Sequence, residues 1–152
     1  MKNIIIDTCT VLHILKDSPQ GKKCLEEIEK LGENPHIIIS VATKAELDSF
    51  SLQNQWGQKK IQALNKFLNE LTIIDINQGD KQLLDAYSLI DGYSKRKLTD
   101  PKGNKLVGSA RKMGKNDLWI AATAKVINAP LLTTDGDFNH LNGVLLTVIK
   151  II

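Results

Sequence analysis

Asn3-Ile4-Ile5-Ile6-Asp7 begins the chain with a short β-branched run closed by an acid. In the following Thr8-Cys9-Thr10-Val11-Leu12-His13-Ile14-Leu15, the apolar Val11, Leu12, Ile14 and Leu15 share one helical face. β-Branched side chains fit a buried, pleated strand, and an apolar helical stripe needs a sheet or another helix to cover it. The segment reads as strand, then helix. A second helix is expected over 20–31, with Leu25, Ile28 and Leu31 as its inner face and Gly32 as its stop. After Pro35, residues 36–40 form a continuous apolar strand, and residues 42–52 a helix carrying Ala45, Glu46 and Ser49 along one side.

The alternation continues with a helix over 58–71, a strand over 72–76, and a helix over 80–90 through Leu83, Leu84, Tyr87 and Ile90. It ends with a helix over 115–128 and strands over 131–133 and 144–149. Strands alternating with helices imply an α/β fold whose central parallel sheet is covered on both faces. Residues 91–114 break the pattern, and a loop that long in a compact domain is either functional or hides an element. Asp100-Pro101-Lys102-Gly103 has turn chemistry, and residues 97–99 and 105–107 can flank it, so a β-hairpin insertion is expected near 95–108.

A chain of 152 residues, 42% hydrophobic and 24% charged, fits one self-folding domain over 1–152 and is too apolar for disorder. Asp7 interrupts the N-terminal apolar run too early for a signal peptide, and no stretch reaches the length of a membrane span; a cytoplasmic protein without membrane contact is expected. Cys9 and Cys24 lack metal-ligand or disulfide spacing and are read as buried thiols. The formal charge of +3 is unevenly spread: Tyr93 through Lys115 carries a net +7, which leaves −4 on the remainder.

Asp7 follows the first strand, Asp117 opens a helix, and Asp135 follows the strand over 131–133, so three acids from distant sequence converge on the edge where such sheets bind ligands. Glu46 joins them from the helix after the second strand. Like charges in one cleft raise each other's pKa, a costly arrangement unless a cation sits among them. Oxygen ligands without His or Cys select Mg²⁺ or Mn²⁺, ions that orient water and stabilise charge on an attacked phosphate, so phosphodiester hydrolysis is the expected chemistry. Each acid also has a structural role open to it. Asp7 and Asp135 stand where N-caps belong, Asp117 suits a helix's positive end, and Thr43-x-x-Glu46 matches a capping box. Ser40, at the end of its strand, is the better N-cap, which leaves Glu46 inside the helix.

Ile4-Ile5-Ile6-Asp7-Thr8, then Ser40-Val41-Ala42-Thr43 leading to Glu46-Leu47, then Asn116-Asp117-x-x-Ile120-Ala121-Ala122, then Thr133-Thr134-Asp135-Gly136-Asp137-Phe138 resemble, in order, the four acidic motifs of PIN domains. The VapC-type toxins match best, and the motifs span nearly the whole chain except 93–114. The resemblance implies a three-layer α/β/α fold and Mg²⁺ or Mn²⁺ held by Asp7, Glu46, Asp117 and Asp135, with Asp137 binding a second ion or bracing the loop. It also implies endonucleolytic cleavage of single-stranded RNA by the toxin of a toxin–antitoxin pair. Partners would then be the RNA and a cognate antitoxin, and a homodimer is allowed. Cys9 departs from the family, which often has Ser or Asn there, and the basic insertion is longer than usual.

Lys95, Arg96, Lys97, Arg111 and Lys112 form a sequence-blind phosphate surface on this reading, or else a solvated loop. His13, His36 and His140 match no motif and read as surface or satisfied residues. Trp119 reads as core, although it or Trp56 could stack on a base. A phosphatase of the haloacid dehalogenase type needs a second acid where Cys9 stands, which disfavours it. A non-catalytic RNA- or protein-binding module would not need intact acids.

Overall fold

The structure, a computed structural model, describes residues 2–152. Five parallel strands, β1 (Asn3–Ile6), β2 (His36–Ser40), β3 (Thr72–Ile74), β4 (Leu131–Thr133) and β5 (Val148–Lys150), form one sheet in the order β3-β2-β1-β4-β5. Around it lie α1 (Thr8–Lys16), α2 (Pro19–Glu29), α3 (Val41–Gln53), α4 (Gln58–Leu68), α5 (Lys81–Ser94) and α6 (Lys115–Ile127), with a 3-10 helix over Gly136–Leu141.

The period of two along β1 separates two cores. Ile4 and Ile6 pack with Val11, Cys24, Ile28, Leu47, Leu64 and Leu68 under α1 to α4, while Ile5 packs with Leu83, Ile90, Leu118, Ala121 and Phe138 under α5, α6 and the 3-10 helix. Helices therefore cover both faces, the expected three-layer α/β/α arrangement. All three isoleucines are fully buried, each contributing about 1.5–3 kcal/mol of transfer energy. Connections from β1 run toward β2 on one side and, through later elements, toward β4 on the other. A crevice therefore opens beyond the carboxyl ends of β1 and β4.

Several expected details differ. Ile28 on α2 and Leu31 just past it face the core as expected, but Gly21 and Cys24 are buried in place of Leu25, which is 38% exposed. The cause is close packing of α2 on the end of α1: a Cβ on Gly21 would lie 2.1 Å from the His13 carbonyl oxygen, and Ser18 Oγ binds His13 Nδ1 at 2.8 Å. Gly21→Ala is expected to destabilise the fold by about 1–3 kcal/mol, read as a lower thermal midpoint. An unchanged midpoint would refute this packing account. In α3 the buried side is Ala42, Thr43 and Leu47, while Ala45 and Ser49 are exposed. Ser40 is its N-cap, accepting from the Ala42 amide at 3.1 Å. The last strand starts at Val148, later than expected, because the Leu145 and Leu146 amides turn back to the Leu141 carbonyl.

The expected hairpin near 95–108 is absent, although its turn is present. Asp100 Oδ1 accepts from the Lys102 and Asn104 amides at 2.9 and 3.0 Å, and the Gly103 amide reaches the Asp100 carbonyl at 2.9 Å. The flank over 97–99 cannot pair because α5 runs beyond Ile90 to Ser94, and the Lys97 and Leu98 amides both close its end on the Gly92 carbonyl. Leu106 on the other flank is buried in the core beside Tyr93 and Met113. Trp119 packs against that core with its ring 4.2 Å from Tyr87, as expected, and Lys60 lies over Trp56 at 4.0 Å. Among the described residues no helix is long and apolar enough to cross a membrane.

Candidate metal centre

Asp7 leaves β1 as the N-cap of α1 and is 3% exposed. Its Oδ1 accepts from the Thr10 amide at 2.9 Å and the Thr10 hydroxyl at 2.7 Å, and its Oδ2 accepts from the Thr133 hydroxyl at 2.5 Å. Thr133, the last residue of β4, also accepts the Asp135 amide at 2.9 Å, so one buried hydroxyl fixes both Asp7 and the turn that presents Asp135. Asp135 in turn caps the 3-10 helix, its Oδ1 accepting from the Asp137 amide at 3.0 Å. On α3, Glu46 Oε1 accepts from the Thr8 hydroxyl at 2.8 Å. Asp117 sits in the first turn of α6, behind a Gly114 N-cap that offers no side chain.

The capping roles leave room for a cation, because a carboxylate has about four lone-pair directions and a cap uses only some of them. Carboxylate oxygens of Asp117, Asp135 and Asp137 lie within 4.8 Å of one another. Asp7 and Glu46 stand outside that tight group but beside it. Both raise the Asp117 pKa, and Glu46 shares with Asp117 a cavity of about 400 Å³ that also includes Gly114, Lys115 and Asn116. Burial, then Asp135, Asp7, Asp137 and Glu46, push the Asp117 carboxyl up to about 6. The Asp7 carboxyl is also raised, chiefly by burial, against the lowering effect of its threonine bonds. An all-oxygen set under this much mutual repulsion fits a hard divalent ion, which would offset both the desolvation and the crowding.

A family model of the PIN domain matches residues 4–144. The chain belongs to the PIN-domain family. Ribonuclease VapC1 of Haemophilus influenzae strain R2866 is 26% identical to it over 129 residues, covering 85% of this chain and 84% of the relative. Among solved structures, VapBC2 from Rickettsia felis bound to a promoter DNA fragment matches with a TM-score of 0.72 at 23% identity over 99% of both chains. VapBC-1 from nontypeable Haemophilus influenzae matches with a TM-score of 0.72 at 23% identity over 97% of both chains. These structures share the fold.

In this PIN domain the positioning roles of the threonines are visible only in the structure, although Thr8 and Thr133 lie within the first and last acidic motifs. Their signal was a hydroxyl at a strand end beside an acid. Because Thr133 orients two acids, Thr133→Val is expected to weaken divalent-ion affinity by about 10–100-fold while the chain stays folded. Calorimetric titration with Mn²⁺ measures it, and unchanged affinity would remove Thr133 from the site.

One sequence expectation changes here. Cys9 is exposed rather than buried, since it faces the acids from the first turn of α1. Partial desolvation and then Asp7, Asp135, Asp117 and Glu46 push its thiol up to about 11, so it stays protonated. The basic residues also divide. Lys95 pairs with Asp91 at 3.0 Å on its own helix, and Arg96 Nε donates to the Leu106 carbonyl at 3.0 Å, while Lys97 lies exposed at the end of α5. Arg111 and Lys112 instead line a cavity with Asp137. The histidines serve structure: His13 binds Ser18, His36 binds Asn3 and Thr72, and His140 Nε2 meets Ser94 Oγ at 2.8 Å.

Proposed function

We propose that this PIN domain is an Mg²⁺- or Mn²⁺-dependent endoribonuclease acting on single-stranded RNA, the toxin of a toxin–antitoxin pair, folding as one domain over 1–152 and working in the cytoplasm. The observation that carries the reading is the meeting of the Asp117, Asp135 and Asp137 carboxylates within 4.8 Å, beside buried Asp7, in a chain of this family. Likeness to Ribonuclease VapC1 supports RNA as the substrate, and likeness to VapBC assemblies supports an antitoxin partner. A homodimer is compatible with both.

Asp7, Glu46, Asp117 and Asp135 would hold the ion, with Asp137 adding a fifth carboxylate on the open side. When bound, a divalent ion at such a site supplies activation of water and stabilisation of charge on the attacked phosphate. The chain's own part is positioning. Thr10 and Thr133 hold Asp7 in one rotamer, Thr8 holds Glu46, and Asp135 is set by the Thr133 hydroxyl. Free carboxylates would repel an RNA phosphate, so a charged strand approaches productively only once the acids are neutralised. The test is cleavage of mixed single-stranded RNAs in Mn²⁺ or Mg²⁺ beside the same reaction in EDTA. Turnover that requires the ion is expected, and full activity in EDTA would overturn the reading.

A further inference from the structure

The geometry points to a phosphate subsite formed by Arg111 and Lys112 on the Asp137 side of the acids, which holds the RNA phosphate next to the one cleaved. It rests on the nuclease reading above and adds where the strand runs and what length of RNA the site needs.

Three observations carry it. A cavity of about 210 Å³ is lined by Arg111, Lys112, Met113 and Asp137, and Asp137 is also one of the three acids whose oxygens meet within 4.8 Å. Asp117, another of the three, lines the larger cavity that holds Glu46. The acids therefore lie between two openings, one carrying Lys115 and the other both Arg111 and Lys112, and a strand crossing them would leave by the more basic one.

The basic wall is also held in place. The Arg111 amide donates to the Ser94 carbonyl at 2.7 Å, and Met113, 8% exposed, accepts from the Ser94 hydroxyl at 3.5 Å. Ser94 is fully buried and meets His140 Nε2 at 2.8 Å, on the 3-10 helix that begins with Gly136 and Asp137. One buried serine thus ties the 111–113 segment to the helix that presents Asp137, so the separation between basic pair and acids is built into the fold.

Finally, the cations differ in their freedom. Lys95 is paired with Asp91, and Arg96 is tied to the Leu106 carbonyl. The four ion pairs among the described residues involve neither Arg111 nor Lys112, and both side chains are exposed. Unpaired cations beside carboxylates that reject phosphate when metal-free suit a ligand that carries its own negative charge to a neutralised site. Successive RNA phosphates provide that ligand, one among the acids and the next between Arg111 and Lys112.

A dinucleotide has only the cleaved phosphate, so it cannot fill this subsite. Initial-rate kcat/KM in Mn²⁺ is measured on single-stranded oligoribonucleotides extended from two to six nucleotides, separately toward the 5′ and the 3′ end. The wild type is expected to gain about tenfold or more when the first flanking phosphate is added on one side only. In R111Q/K112Q that gain collapses toward one, and in K30Q, at an exposed lysine paired with Glu27, it persists. In the same double variant, the fall of log kcat/KM with log salt on a six-nucleotide RNA in Mn²⁺ should flatten by about 0.7 for each phosphate contact removed. A gain that R111Q/K112Q keeps, or a loss equal at every length, overturns the subsite and leaves the nuclease reading standing. A wild type that cleaves no RNA in Mn²⁺ or Mg²⁺ overturns the nuclease reading, and the subsite with it.

Discussion

Asp7→Asn is expected to lower RNA cleavage in Mn²⁺ by about 100-fold or more, because it removes a carboxylate from the ion's charge balance at the centre of the site. The fold should survive. Asparagine keeps an oxygen to accept from the Thr10 amide and hydroxyl, and its amide can donate to Thr133 Oγ1, whose second lone pair still takes the Asp135 amide. Burial raises the Asp7 carboxyl, so its charge is costly in the metal-free protein at neutral pH. Metal-free Asp7→Asn should therefore melt no lower than the wild type. Asp7→Ala, by contrast, loses the N-cap of α1 at a cost of about 1 kcal/mol and leaves the buried Thr133 hydroxyl without its acceptor, while the Thr10 hydroxyl keeps the Leu132 carbonyl. Near-wild-type cleavage by a folded Asp7→Asn would remove Asp7 from the chemistry.

Melting of the metal-free protein should also fall as pH rises from about 4 to 7, and Asp117→Asn should flatten that fall. Asp117 is raised to about 6 from the ordinary 3.8, so between those values the folded chain holds a proton that the unfolded chain has released. Its contribution to stability is full below the ordinary value and is lost as pH climbs through about 6. Above that, the folded state carries the repulsion of Asp117 with Asp135, Asp7, Asp137 and Glu46. Mn²⁺ at about 100 times its Kd should restore about 2.7 kcal/mol by mass action, raising the wild-type midpoint by roughly 5–10 °C. Asp117→Asn should gain less. Equal pH slopes and equal ion-induced shifts in the two proteins would show that the ion binds elsewhere.

Local chemistry was enough to determine the alternating βα plan, the strand of Ile4, Ile5 and Ile6 and the N-cap roles of Ser40, Asp7 and Asp135, since periodicity and capping depend on neighbours a few residues away. It was enough to place Ile28 of α2 and the following Leu31 inward but not to choose between Leu25 and Cys24. Leu25 and Cys24 lie on adjacent faces, and the approach of Gly21 to His13, a contact between two helices, selected Cys24. The hairpin failed for a similar reason: the amides of Lys97 and Leu98 had a nearer acceptor in the Gly92 carbonyl once α5 was long enough to present it. The sequence also made five cations look equivalent. Only packing distinguished Lys95 and Arg96, whose charges or donors are taken by Asp91 and Leu106, from Arg111 and Lys112 beside Asp137. The pairing of β1 with β4 then put Thr133 against Asp7 across 126 positions of sequence. Local periodicity carries no record of such a contact, because its energy comes from burial that exists only after the sheet has assembled.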